Sequence, residues 1–156
     1  MFHVVLQEPE IPPNTGNIIR LCANSGASLH LIHPLGFRLE DARLRRAGLD
    51  YHEYAAVSEH ENFAAFLTAV QPGRVYALST KGLTSYADAD FRTGDALVFG
   101  PETRGLSPAF LQSLTEGQRL YIPMRPENRS LNLSNAVALV LYEAWRQNGF
   151  AGASRL

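Results

Sequence analysis

The chain has 156 residues and a formal net charge of −1, and its composition is 46% hydrophobic and 19% charged. This length suits one ordinary domain, and we predict a single domain over residues 1–156. The apolar fraction excludes a disordered chain, and the near-neutral charge excludes a general attraction to polyanions, so any contact with nucleic acid must be local.

Two features favour a cytoplasmic protein without a membrane contact. The longest apolar run near the C-terminus, residues 136–142, is far shorter than the ~20 residues that cross a bilayer, and the first residues lack a basic segment followed by an apolar one. Cys22 is the only cysteine, which excludes an intramolecular disulfide and a multi-cysteine metal centre and fits a reducing compartment.

Strand and helix patterns alternate along the first half of the chain. The predicted elements are a strand at 2–7, a helix at 18–23, a strand at 29–32, a helix at 39–47 that stops at Gly48, and a strand at 55–57. A capping box of Ser58 and Glu61 then opens a helix with apolar residues at three- and four-residue spacing, which ends before Pro72.

The second half continues the alternation. Strands are predicted at 75–79, 96–99 and 120–122, with a short helix between the last two that is capped by Ser107 and opened by Pro108. The longest helix spans residues 133–147 and is apolar nearly all round, which indicates either a partner on its second face or burial on both sides within one chain.

This order predicts an α/β fold with a mostly parallel sheet flanked by helices. Such sheets bind ligands beyond the carboxyl ends of their strands, so the loops after strands are the candidate sites. Several chemistries are excluded there. The only lysine, Lys81, precedes Gly82 rather than Ser or Thr, so there is no P-loop, and neither a G-x-G-x-x-G loop nor a G-x-S-x-G elbow occurs. His30 and His33 point to opposite faces of a strand and cannot readily share a metal ion.

The first polar cluster reads N-T-G-N-I-I-R from Asn14 to Arg20. Asn14 or Thr15 can cap a helix there. Arg20 would then lie near the positive end of the helix dipole, where a cation is disfavoured, so an anionic partner such as phosphate is expected. The alternative is an ion pair of Arg20 with Glu8 or Glu10.

Two further clusters follow buried strands. Residues 99–106 read F-G-P-E-T-R-G-L, and Glu102 and Arg104 lie where a ligand would bind, although a tight connection with solvated charges is the alternative. Residues 122–135 place short polar groups at a helix start, suited to reading a heterocycle edge or holding a carboxylate. These groups are Ser130, Asn132, Ser134 and Asn135, of which Ser134 is interpreted as the helix cap.

Together, the N-x-G-N-x-x-R turn, the F-G-P-E-x-x-G-L loop and the I-P-M…S-L-N-L-S-N-A segment resemble, in order and spacing, the three motifs of the SPOUT RNA 2′-O-methyltransferases. The resemblance covers nearly the whole chain. Residues 9–24 and 43–51 are similar to the small single-domain branch that methylates the wobble ribose of tRNA. The resemblance implies a C-terminal trefoil knot, which general topology rules would exclude.

The resemblance also implies a function. It is S-adenosylmethionine-dependent 2′-O-methylation of cytidine 34 or carboxymethylaminomethyluridine 34 in the tRNA anticodon loop, by a homodimer that needs no metal. The implied cofactor-binding residues are Leu78, Thr80, Gly82, Gly100, Glu102, Ile122, Met124, Ser130, Leu131 and Asn132. The alternatives are an enzyme of the same fold that acts on rRNA or another tRNA position, and a catalytically silent RNA-binding module.

The implied catalytic residues are Arg20, with Asn14 beside it, and Glu102. The implied RNA-binding residues are Arg20, Arg43, Arg45 and Arg46. In the resembling family Arg20 reaches the cofactor pocket of the neighbouring subunit, so each active site is expected to combine residues of two chains. For Arg43, Arg45 and Arg46 the alternative is a solvated helix face.

Overall fold

The computed structural model describes residues 1–40 and 56–154. Its strands are β1 (His3–Gln7), β2 (Ser28–Ile32), β3 (Val57–His60), β4 (Val75–Leu78), β5 (Thr84–Ser85), β6 (Ala96–Phe99) and β7 (Arg119–Tyr121). The helices are α1 (Pro12–Ser25), α2 (Phe63–Val70), α3 (Pro108–Gln112) and α4 (Leu133–Gln147), with single 3-10 turns at Tyr86–Asp88 and Glu116–Gln118.

The seven strands form one sheet in the order β3-β2-β1-β6-β4-β7-β5, and each strand runs parallel to its neighbours. Alternate residues of a strand point to opposite faces, so Leu6 belongs to one core and Val5 to the other. Helices α1 and α4 cover the Leu6 face, and α2 and α3 cover the Val5 face. The predicted parallel sheet flanked by helices is confirmed.

Most predicted elements are found within a few residues of their expected bounds. Helix α4 spans the predicted residues, and α3 begins at Pro108 after its N-cap Ser107, whose side chain accepts a hydrogen bond from the Phe110 amide. The two-residue strand β5 and both 3-10 turns were not predicted, because segments of two or three residues carry no readable periodicity.

The prediction that α1 begins near residue 18, with Asn14 or Thr15 as its cap, is wrong. The helix begins at Pro12 after the N-cap Ile11, and both Asn14 and Thr15 are buried inside it. Prolines are tolerated in the first turn because the amides they lack have no partner within the helix. Arg20 therefore lies in the middle of α1, and the helix-dipole argument for an anion does not apply to it.

Two other predicted caps are also wrong. Ser58 lies in β3 and pairs with His30 of β2. Because Ser58 is part of the sheet, it does not cap the helix that follows. The N-cap of α2 is Asn62, whose Oδ1 accepts from the Ala65 amide at 2.8 Å. The N-cap of α4 is Asn132 rather than Ser134.

Some predictions fall on residues 41–55, outside the described part of the chain. They are most of the helix at 39–47, its stop at Gly48, residue 55 of the third strand, and Arg43, Arg45 and Arg46. Among the described residues no helix is long and apolar enough to cross a membrane, and no group of three or more His, Cys, Asp or Glu is placed to hold a metal ion.

Candidate active site

The loops after β4, β6 and β7 enclose one cavity of about 450 Å³ at the carboxyl edge of the sheet. Parallel sheets bind ligands at this edge, and the volume lies in the usual range of small-molecule sites. Apolar side chains form part of its wall: Leu78, Phe99, Ile122, Leu131 and Ala136. The cavity therefore suits a ligand with an apolar or aromatic portion and polar groups at its rim.

Nine of the ten predicted cofactor residues line this cavity, and Gly82 alone does not. Asn14 and Glu102 line it as well. Arg20 does not line the cavity of its own chain; it is exposed on α1. The structure thus brings together residues that lie far apart in sequence, with Arg20 outside the group.

Gly82 and Gly100 are needed where the loops cross other backbone. A Cβ on Gly82 would lie 2.3 Å from the carbonyl carbon of Leu120 on β7, and a Cβ on Gly100 would lie 2.4 Å from that of Gly105. Neither backbone neighbour can move as a flexible side chain can. Gly82 thus holds the loop after β4 against β7, and Gly100 lets the loop after β6 fold back on itself.

Glu102 links the loop after β6 to the start of α1. Its Oε1 accepts from the amide of Glu10 at 2.8 Å, and its Oε2 accepts from the amide of Ile11 at 2.8 Å and from Asn14 Nδ2 at 3.3 Å. A carboxylate at a helix N-terminus satisfies amides that lack a helical partner and complements the helix dipole. Glu102 therefore fixes the position of α1 relative to the cavity.

Glu10 and Thr103 form a second contact between the start of α1 and the loop after β6. Glu10 Oε1 accepts from the Thr103 amide at 2.9 Å and from its hydroxyl at 2.8 Å. These hydrogen bonds, with a smaller contribution from the charge of Arg104, hold the pKa of the Glu10 carboxyl below its usual value. The two loops are thus joined by a reciprocal pair of carboxylate contacts.

Asn14 continues this network to α4. Its side chain is buried, with Nδ2 facing Glu102 and Oδ1 accepting from Asn132 Nδ2 at 3.0 Å. Asn132 Oδ1 in turn accepts from the amides of Ser134 and Asn135. Each amide side chain of this network thus donates through Nδ2 and accepts through Oδ1, or faces such a partner.

Three cationic side chains also line the cavity: Lys81, Arg104 and Arg129. Sequence analysis placed Arg104 where a ligand would bind, and it missed Lys81 and Arg129 as site residues. Arg129 lies within the third motif, and Lys81 lies between Thr80 and Gly82, which were predicted to bind the cofactor; these positions were the available signals.

A family model described as the SpoU rRNA Methylase family matches residues 1–142. The chain belongs to this family. The predicted resemblance to the SPOUT RNA methyltransferases is confirmed.

This SpoU family member is similar to known proteins both in sequence and in structure. The tRNA (cytidine(34)-2′-O)-methyltransferase of Escherichia coli (strain K12) is 58% identical, with 98% of each chain covered. A solved structure reported for the 2-OH methylation of C/U34 on tRNA is 47% identical, with a TM-score of 0.87 and 96% of this chain and 97% of that chain covered. The SpoU methyltransferase AviRb of Streptomyces viridochromogenes, solved with AdoMet, is 26% identical with a TM-score of 0.80, covering 97% of this chain and 58% of that one.

Proposed function

We propose that this SpoU family member is an S-adenosylmethionine-dependent methyltransferase that modifies the ribose 2′-hydroxyl of nucleotide 34 in tRNA, either cytidine or carboxymethylaminomethyluridine. The observation that carries the proposal is the convergence of the loops after β4, β6 and β7, together with Asn14 of α1, on one cavity. It is supported by a near full-length relative, 58% identical, that bears this activity in its name.

The cavity fits S-adenosylmethionine, which AviRb holds in its solved structure. Its volume, its apolar wall and the close backbone approach at Gly100 suit a folded nucleoside with a polar tail. When bound, this cofactor supplies an electrophilic methyl group on a sulfonium. Leu78, Ile122 and Leu131 would hold its apolar portion, and Ser130 and Asn132 its polar edge. No metal is required in this proposal.

The protein's own contribution is positioning and electrostatics. Aligning a hydroxyl oxygen with a reacting carbon at ~3 to 3.5 Å supplies much of the acceleration of such a transfer. Arg20 would bind the phosphate beside the target ribose and stabilise charge developing on its oxygen. The guanidinium group of arginine is a poor proton acceptor because it holds its proton strongly, so binding is the main role of Arg20.

Because Arg20 lies outside its own cavity, the proposal includes a homodimer in which it serves the partner's cavity. Two side chains of α4, Leu139 and Tyr142, are 43% and 38% exposed, and they lie on a face that a second chain would cover. The C-terminal trefoil knot, the anticodon contacts of Arg43, Arg45 and Arg46, and a cytoplasmic location are further parts of the proposal.

The test combines purified components with mapping in cells. The protein, S-adenosylmethionine carrying a labelled methyl group and a tRNA transcript should yield ribose methylation at nucleotide 34, with or without a chelator. Mass mapping of tRNA from cells with and without the gene should show the same position. Methylation of rRNA or another tRNA position would replace the substrate assignment, and RNA binding without methyl transfer would indicate a silent module.

A further inference from the structure

Three loops each contribute one cation to the candidate cavity. Lys81 follows β4, Arg104 follows β6, and Arg129 precedes α4. We propose that these three side chains bind phosphate groups of the RNA substrate next to the target ribose, and that they do not hold the cofactor. The inference rests on the proposed function and adds an RNA-contact surface to its active site.

The three side chains are available for a ligand. All three residues are exposed. Arg74, Arg92 and Arg146 form ion pairs with carboxylates in the described part of the chain, but no such pair or side-chain hydrogen bond is found there for Lys81, Arg104 or Arg129. Arg104 acts on Glu10 only through its charge, and the Glu10 carboxylate already accepts from Thr103.

The charged side chains around the cavity are mainly positive. The lining residues include three cations and a single carboxylate, Glu102, whose two oxygens already accept hydrogen bonds from the start of α1. S-adenosylmethionine carries an ammonium and a sulfonium with its one carboxylate, so it is itself cationic. Its single negative charge cannot offset three cationic side chains.

RNA phosphates supply the missing anions. Phosphate contacts fix the position of a nucleic acid without reading its sequence, and lysine and arginine are the usual partners. The whole chain has a formal charge of −1, so this local excess of cations is a departure from the average surface. Cations at the mouth of the cavity would hold the backbone on both sides of a ribose that enters it.

The experiment measures tRNA and cofactor binding separately in Lys81→Ala, Arg104→Ala and Arg129→Ala proteins. Fluorescence anisotropy with a labelled anticodon stem–loop, over a range of salt concentrations, gives the salt slope of binding. Each variant should bind this RNA more weakly, with a salt slope lower by about one, because one phosphate contact is lost. Calorimetry with S-adenosylmethionine should give unchanged cofactor affinity.

Arg92→Ala is the matched control, because Arg92 is an exposed arginine beside the amino end of β6, at the opposite edge of the sheet. It should leave the salt slope unchanged. Arg104→Lys should keep the wild-type slope, since it keeps the charge. An unchanged salt slope of RNA binding in all three alanine variants would overturn the inference. The proposed function would still hold in that case if the wild-type protein methylates the tRNA. Weaker cofactor binding with normal RNA binding would assign the cations to the cofactor. If the wild-type protein neither bound the anticodon stem–loop nor methylated the tRNA, both proposals would be refuted.

Discussion

Asn132 donates a hydrogen bond to Asn14 over 3.0 Å, although the two residues lie 118 positions apart in the chain. The contact joins the N-terminus of α4 to the buried side of α1 at the wall of the cavity. Asn132 needs both ends of its amide, because Oδ1 caps α4 while Nδ2 faces Asn14. Helix capping and site geometry therefore depend on one side chain.

Substitution of Asn132 separates these two roles. Asn132→Asp keeps an oxygen acceptor for the amides of α4, so stability should change by less than about 1 kcal/mol. The substitution places a carboxylate oxygen against Asn14 Oδ1, and two acceptors repel each other. If the Asn14 amide turned over, its Oδ1 would face the carboxylate of Glu102 instead, and the repulsion would remain. We expect methyl transfer to fall steeply in Asn132→Asp, with a melting temperature lowered only by the lost contact to Asn14, since the cap of α4 is kept.

The Asn132→Ala variant provides the comparison. It loses the cap as well, so its free energy of unfolding should fall by a further ~1 kcal/mol. Thermal unfolding and kcat/KM should be measured on both proteins. Near-normal turnover of Asn132→Asp would show that the donor to Asn14 is dispensable.

The sequence predicted the sheet, its flanking helices and the bounds of α4, because long apolar periodicity is a local signal. It failed at Ser58, where pairing with β2 outweighed a good capping pattern. It failed at the start of α1, because two prolines were read as a loop although they suit a first helical turn. A local sequence pattern does not show whether a residue caps a helix or pairs with a strand that lies far away in sequence.

The same limit applies to the cavity. The family resemblance indicated its lining residues, but it did not show that Gly82 packs against β7. The role of Gly82 in cofactor binding stays a prediction. Hydrogen bonds such as Glu102 to the amides of Glu10 and Ile11 depend on how two loops approach each other in space. No spacing in the sequence carries that information.

Gly82→Ala should damage both stability and cofactor binding. Its new Cβ would lie within 2.6 Å of three backbone atoms of Leu120 and Tyr121, so the loop after β4 must move away from β7. Overpacking of this kind costs typically ~1 to 3 kcal/mol, and more where backbone must shift. The loop also carries Thr80 on the cavity wall, so we expect weaker S-adenosylmethionine binding by calorimetry.

Gly117→Ala is the control for this prediction. A Cβ there meets no atom within 4 Å, so the melting temperature should stay the same or rise slightly. Equal melting temperatures for the two variants would mean that the crossing at β7 is looser than the structure shows.

Three histidines on adjacent strands form a continuous line outside the candidate site. His3 Nδ1 lies 3.1 Å from His30 Nε2, and His30 Nδ1 lies 3.0 Å from His60 Nε2. The ring of His30 also packs edge-on against Phe66. Burial, and then the charges of His3 and His60, lower the pKa of His30 to about 4 from 6.5. Burial also lowers the pKa values of His3 and His60.

Stability should therefore fall on acidification. The folded state binds the His30 proton less readily than the unfolded state, so its contribution is complete above pH 6.5 and is lost as the pH falls toward about 4. The loss from His30 is of the order of 3 kcal/mol. Urea unfolding of wild type and His30→Gln between pH 7 and about 4 should show a shallower decline in the variant. Parallel curves for wild type and His30→Gln would contradict the prediction.

Arg20 provides the test of an active site shared by two chains. It is exposed on α1 and lies outside the cavity that contains Ser130 and Asn132 of the same chain. If it serves the cavity of a partner, Arg20→Ala and Asn132→Asp inactivate sites through different subunits. A dimer with one variant of each kind then has one site with both defects and one site with neither.

Mixing the two inactive proteins under conditions of subunit exchange should restore activity. Random pairing makes half of the dimers mixed, so about a quarter of the sites become intact and methyl transfer should reach about a quarter of the wild-type rate per site. Each variant exchanged with itself should stay inactive and serves as the control. If Arg20 acted on the cavity of its own chain, every site in every mixture would keep one defect and no activity would return. Sedimentation of the wild type as a monomer would exclude the shared site directly, because Arg20 would then have no second cavity to reach.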